Sequence, residues 1–405
     1  MKRLGQYGIE MAQLDNGLKI VLKRMPCPRV YISFLIECGP LYESKDEQGV
    51  SHFLEHLIGE EGRVRNRNSR LFYKINRDGG DIDASADYQF TFYKLHMHRR
   101  FWFRGFRMFL DSIAKLDFSQ NDFSTEQSRI FAEMKDECSR EMVVKQRIFP
   151  DHPLSRLIEG TKQSILAMTP AAIHSWHRKF YFPGRMIVIV VGNVSMRMVV
   201  RAIKSSQVFA IENGKDVPLP PERDFNWDAR GDISGFSGNW QKVVYPMPPF
   251  GDAQELFLFF LISNYIFDDI SALSLNREVA FETGIYSPLC TEFTITSCCS
   301  FFEIALGAPS QKVLVKTGQK FFRWIERMVE NGIGKDRFRR LYLQRVADIE
   351  SLSGADWLEL LNNAVCWGVI GNLEVFLDPA YIDKKGLDMV AGKYFGGNYL
   401  VFCSQ

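Results

Sequence analysis

His52, Phe53, Leu54, Glu55 and His56 stand consecutively in the chain, and three of those five side chains can do chemistry. On a helix, positions i, i+3 and i+4 are neighbours, so His52, Glu55 and His56 share one stripe. Two imidazoles four residues apart can offer two nitrogen ligands to one tetrahedral Zn²⁺, which leaves the carboxylate of Glu55 beside the open position. A metal there acidifies water toward a pKa of about 7 and polarises a carbonyl, and Glu55 is placed to take the proton and return it to a leaving amine. The competing reading is a solvated helix face that happens to carry His and Glu. A catalytic zinc needs a third protein ligand, for which Glu133 is the candidate, with Glu126 seven residues earlier on the same face of a second predicted helix.

The elements that must position these groups are legible in outline. Leu18–Lys23 and Arg29–Glu37 have strand composition, with a turn at Asn16-Gly17 before them. Val50, Phe53, Leu54, Leu57 and Ile58 then form the apolar stripe of an amphipathic helix, the one that carries the histidines. A strand is expected from Tyr88 to His98 after Gly79-Gly80. A further helix is expected to start at Ser124, with Gln127 three residues on as a capping box, and to run to about Val144. Met186–Val191 reads as a buried strand. Charges and Pro218, Pro220 and Pro221 interrupt the pattern between Glu212 and Asn226, so domains are expected over 1–211 and 227–405 with a linker at 212–226. The second part repeats the rhythm, with helices at Gln254–Phe267, Gln311–Asn331 and Arg337–Ser351 and strands at Glu292–Thr296 and Ser300–Leu306. Helix and strand mix without regular βαβ alternation, which points to an α+β class.

Composition excludes several partners. Among 405 residues, 50 Lys plus Arg against 48 Asp plus Glu leave a net charge of +2, so no global field gathers nucleic acid or an anionic membrane. The aliphatic runs fall short of the roughly 18 residues a membrane span needs, and the N-terminus shows no secretory signal. The eight cysteines are scattered without a C-x-x-C pair, which fits reduced packing residues and a cytoplasmic setting.

H-x-x-E-H followed, after 76 intervening residues, by Glu133 resembles the pattern of the inverted-motif zinc peptidases, the family of insulinase, pitrilysin and the mitochondrial processing peptidase. Leu14-Asp15-Asn16-Gly17-Leu18, Gly49-Val50-Ser51 and Gly79-Gly80 are also similar to that family, and the likeness is clear over residues 13–200. It implies one Zn²⁺ per chain held by His52, His56 and Glu133, with Glu55 as general base and Glu126 orienting and balancing the site. It also implies two duplicated α+β domains, half of a clamshell that a second chain completes, and a peptide or peptide precursor bound as an added strand and cut by activated water.

Two stretches depart from the family. Gly79–Tyr93 resembles its substrate-pairing edge strand, with Gly79, Gly80, Ala84, Thr91 and Tyr93 matching, but Asp83 stands where Asn is usual and Ala86 where Thr is usual. Asp83 and Ala84 are therefore expected at the substrate, with Asp83 favouring basic peptides or else acting only as a solvated acidic edge. In the second part, family members that act alone carry an Arg and a Tyr that hold the substrate. Here the Arg position falls at Ala280, Tyr286 comes one residue early, and Arg277 is a candidate substitute that matches the family's other, commonly structural Arg. The resemblance thus implies a heterodimer whose partner lacks the zinc motif and supplies the Arg and Tyr. The alternative is a zinc-containing structural or peptide-binding subunit that does not cut. His96, His98, His174 and His177 are expected to be structural.

Overall fold

Alternating apolar residues near the N-terminus pair into strands β1 (Ile9–Gln13), β2 (Lys19–Arg24) and β3 (Arg29–Ile36). The computed structural model describes residues 4–59, 73–134, 140–234, 238–267, 275–283 and 289–404. Cys138, Gly284 and Tyr286 lie outside the described residues. The chain forms two compact units: one takes the residues up to Met142, Asp151–Pro220 and Leu352–Cys366, and the other Val143–Pro150, Pro221–Ser351 and Trp367 onward.

In the first unit, β4 (Asp81–Ala86), β5 (Thr91–His98) and β6 (Met186–Gly192) complete a six-stranded sheet in the order β1-β2-β6-β3-β5-β4. Only β2 and β6 run parallel. The run expected as one strand from Tyr88 to His98 is the second arm of a hairpin whose first arm is β4. The period of 2 gives the sheet two faces. Val30, Ile32, Phe34 and Ile36 of β3 are fully buried on one of them. On that face lie α1 (Val50–Gly59) and α2 (Trp102–Ala114), with α3 (Gln120–Glu133) and α4 (Pro170–Phe180) packed against α1 or beyond it. The opposite face carries Lys23, Tyr31, Ser33 and Lys94 and is covered by helix Gly354–Cys366, where Lys23 stands 4.0 Å over the Trp357 ring and Lys94 lies 3.7 Å from Glu359. β4 is an edge strand and pairs only with β5 among the described residues.

Helix α3 begins one turn earlier than its expected cap. Ser119 accepts from the Asp122 amide while Asp122 accepts from the Ser119 amide, so this reciprocal box outcompetes the one at Ser124, whose hydroxyl instead returns to Gln120 O within the helix. The helix ends at Glu133, with Met134 extended.

The second unit has a five-stranded sheet in the order β7-β11-β8-β10-β9, from β7 (Gly231–Ile233), β8 (Asn239–Pro246), β9 (Leu289–Ile295), β10 (Ser300–Ala308) and β11 (Leu400–Ser404). Its helices include α5 (Ala253–Phe267), α6 (Leu275–Thr283), α7 (Gln311–Asn331) and α8 (Lys335–Ser351). Leu314, Phe321, Ile325 and Met328 bury one stripe of α7, as its period requires. Both units mix sheet and helix. Among the described residues no helix is long and apolar enough to cross a membrane, and none of the described cysteines is disulfide-bonded.

Candidate metal centre

Helix α1 is buried on nearly every side, its polar stripe included: Val50, Ser51 and Phe53–Gly59 are all buried. Phe53 stacks on Phe123 with ring centroids 4.8 Å apart, which fixes α1 against α3 and sets their polar stripes beside each other. Gly59, at the last turn, lets the edge strand come close: a Cβ there would lie 2.2 Å from the Ala84 Cβ and 3.4 Å from Glu55 Oε1. Ala84 therefore sits beside the carboxylate end of the polar stripe. Asp83, its neighbour, is exposed and faces the other way, opposite Lys94 in the β4–β5 register.

The polar stripe brings His52, Glu55 and His56 together, with one potential ligand atom from each lying within 4.8 Å of the others. His52 Nε2 and His56 Nε2 are 3.3 Å apart, and Glu133 Oε2 lies 3.2 Å from His56 Nε2. Glu55 Oε2 is 3.9 Å from His52 Nε2. Donors held about 2.0–2.1 Å from a tetrahedral ion stand about 3.3–3.4 Å apart, so His56 Nε2 stands at about that spacing from both His52 Nε2 and Glu133 Oε2. Burial, and then the neighbouring His56 imidazole, push the His52 pKa down to about 3, which leaves its ring neutral and its lone pair available to a metal.

Behind the stripe, Glu126 is 1% exposed and its Oε2 lies 3.5 Å from His56 Nδ1, while Arg129 Nη1 stands 3.6 Å from Glu126 Oε1. At that distance His56 Nδ1 and Glu126 Oε2 do not hydrogen-bond to each other, but a carboxylate on the inner side favours a proton on Nδ1 and leaves Nε2 to face outward. Arg129 balances the buried charge of Glu126. Glu133 is half-exposed at the end of α3, on the side where the stripe is open.

The comparisons with known proteins fit this geometry. Residues 19–162 match the model of the insulinase family, peptidase family M16, and residues 167–344 match the peptidase M16 inactive domain. The chain belongs to the M16 peptidase family. An uncharacterised zinc protease of Mycobacterium leprae is 28% identical over 193 residues, which cover 46% of this M16 chain and 43% of that protein. One of Streptomyces coelicolor is 23% identical over 385 residues, 90% of this chain and 83% of that one. Among solved structures, a protease from Helicobacter pylori matches with a TM-score of 0.83 at 18% identity, over 98% of this chain and 99% of that one. Pitrilysin matches with a TM-score of 0.70 at 16% identity, over 98% of this chain but 44% of its own. The match thus spans under half the length of the Mycobacterium relative and of pitrilysin.

Ala280 is half-buried on α6 and Arg277, one turn before it, is exposed; Tyr286 lies outside the described residues. Sequence reasoning missed Glu43, a 4% exposed carboxylate that meets the first turn of α1. It is followed by the charged Lys45, Asp46 and Glu47, and no local signal separates it from them.

Proposed function

We propose that this M16 chain is a zinc-dependent endopeptidase that cleaves peptides or peptide precursors, with His52, His56 and Glu133 holding the metal. The observation that carries this reading is that His56 Nε2 stands 3.3 Å from His52 Nε2 and 3.2 Å from Glu133 Oε2. Bound zinc supplies Lewis acidity, which polarises a carbonyl and acidifies water. Glu55 takes the proton of the attacking water and passes it to the departing amine. Glu126, balanced by Arg129, places negative charge behind the His56 ring and favours the tautomer whose Nε2 faces the metal. The edge of β4 that pairs with no strand among the described residues receives an extended peptide through main-chain hydrogen bonds, and Ala84 leaves room for it beside Glu55. Along such an added strand alternate side chains face opposite ways, so Asp83 meets only those on the far face and favours basic residues there.

Ala280 favours one further element: the substrate-holding Arg and Tyr come from a second, homologous subunit without the zinc motif. The same residue also supports a second reading, a subunit that binds zinc and peptide without cutting. Zinc analysis and peptide hydrolysis, with and without a coexpressed homologue, separate the two. One zinc per chain is expected, together with its loss in a His52→Ala, His56→Ala double variant. Stoichiometric zinc persisting in that variant would remove the basis for the site.

A further inference from the structure

Helix α1 starts without a capping side chain of its own. Gly49 occupies the cap position, with φ +84, and its carbonyl accepts the first helical bond from the Phe53 amide. A side chain is not tolerated there, because a Cβ would lie 2.5 Å from Glu159 O. The amides of the first turn must therefore find an acceptor elsewhere. Glu43 supplies it from six residues upstream: Oε2 accepts from the Gly49 amide at 2.9 Å, and Oε1 accepts from the Ser51 amide at 3.0 Å and the Ser51 hydroxyl at 2.5 Å. Glu43 and Ser51 are 4% and 0% exposed, so water cannot replace these bonds. The brace is itself held, since Arg156 donates to Glu43 O from the same loop whose Glu159 carbonyl closes over Gly49. Ser51 is followed directly by His52.

We infer that Glu43 is a positioning residue of the metal centre, a remote cap that fixes the first turn of α1 and thereby the place from which His52 reaches the metal. The inference rests on the zinc reading proposed above. Both carboxylate oxygens face amide donors, so only a carboxylate satisfies the whole set; burial pushes the Glu43 carboxyl up to about 7 against the lowering effect of these bonds, so the ionised form prevails above that pH. A glutamine of the same shape accepts at one position and confronts a donor with a donor at the other. With the first turn loosened, His52 loses its fixed approach while the rest of the stripe stays buried.

The test is zinc affinity by chelator competition at pH 8, together with amide exchange across residues 50–59 in the metal-free protein, for wild type, Glu43→Gln, Ser51→Ala, the double variant and Glu303→Gln. The last makes the same chemical change at a buried carboxylate of the second unit, where Glu303 is 1% exposed and pairs with Lys242 at 2.9 Å. Glu43→Gln should weaken zinc binding roughly tenfold, in the range seen for groups that orient metal ligands, and should speed exchange in α1 alone. The double variant should cost less than the sum of the two singles, because both act through one contact. Glu303→Gln should leave zinc affinity unchanged. Wild-type affinity and exchange in a folded Glu43→Gln protein would overturn the inference, and so would equal weakening by Glu303→Gln, which would mark the effect as general stability. If Glu43→Gln does not fold, Ser51→Ala carries the same comparison, with a smaller loss expected and none overturning it. A wild-type protein that takes up no zinc would instead remove the metal reading itself, a result distinct from either.

Discussion

Glu55 is close enough to the histidine pair to serve the same centre, yet its proposed task differs from theirs, and substitution can divide the two. Glu55→Gln keeps volume and one acceptor but has no basic oxygen to take a proton. Hydrolysis should fall by at least about 100-fold, the usual loss for a missing general base, while zinc content is unchanged. Near wild-type turnover in that variant would sink the mechanism. His177 offers a test that is independent of the metal. Its Nε2 donates to Ile113 O at 2.8 Å, and burial lowers its pKa from 6.5, outweighing the raising effect of that bond. A histidine whose folded pKa is depressed contributes stability that is complete above the unfolded value of about 6.5 and is lost as pH falls through the lower folded value. His177→Gln should therefore unfold at a lower temperature than wild type at pH 7.5, by the equivalent of about 1 kcal/mol, and the gap should narrow by pH 5. A gap that widens on acidification would show that the ring is charged in the fold.

At the scale of elements, the metal helix was legible because its apolar stripe and its polar one fall in the same ten residues, and periodicity alone separates them. The start of α3 was not, since Ser119 and Ser124 both offer a cap and only the reciprocal bond with Asp122 decides between them. Nor was the close approach of α1 to β4, which depends on two residues, Gly59 and Ala84, that carry almost no side chain. Gly59→Ala tests that approach. The added methyl would meet the Ala84 Cβ at 2.2 Å, with the backbone of both elements behind it, so about 1–3 kcal/mol of stability should be lost as an overpacking cost. Ala84→Gly in the same chain should recover most of that loss. If Gly59→Ala is as stable as wild type, the helix and the edge strand are not in contact there.

On the scale of the whole molecule, helix Gly354–Cys366 shows why sequence reading ends where it does: an amphipathic stripe states that a helix must be covered but not by which sheet. This one lies on the first unit's sheet, roughly 330 residues along the chain from β2, whose Lys23 meets Trp357. The same limit applies to partners, which the residues of one chain can imply only by what they lack. In the resemblance that placed the zinc ligands, substrate is also held by an Arg and a Tyr, and this chain has Ala280 at the first of those positions. In the proposed reading the zinc half would polarise a carbonyl, but a peptide that is not anchored samples many poses, and misplacement by about 1 Å can cost roughly 100-fold in rate. Self-association would not repair this, because a homodimer repeats the same incomplete surface. The purified single chain should therefore be inactive or weak, and coexpression with a homologue that lacks H-x-x-E-H but keeps the Arg and Tyr should raise peptidase activity by about that factor. Arg277 is a candidate substitute for the missing group, being exposed one turn before Ala280 on α6. Should the single chain cleave as fast as the coexpressed pair, or should Arg277→Ala abolish activity that Ala280→Arg leaves untouched, then Arg277 holds the substrate and the site is not split between two chains.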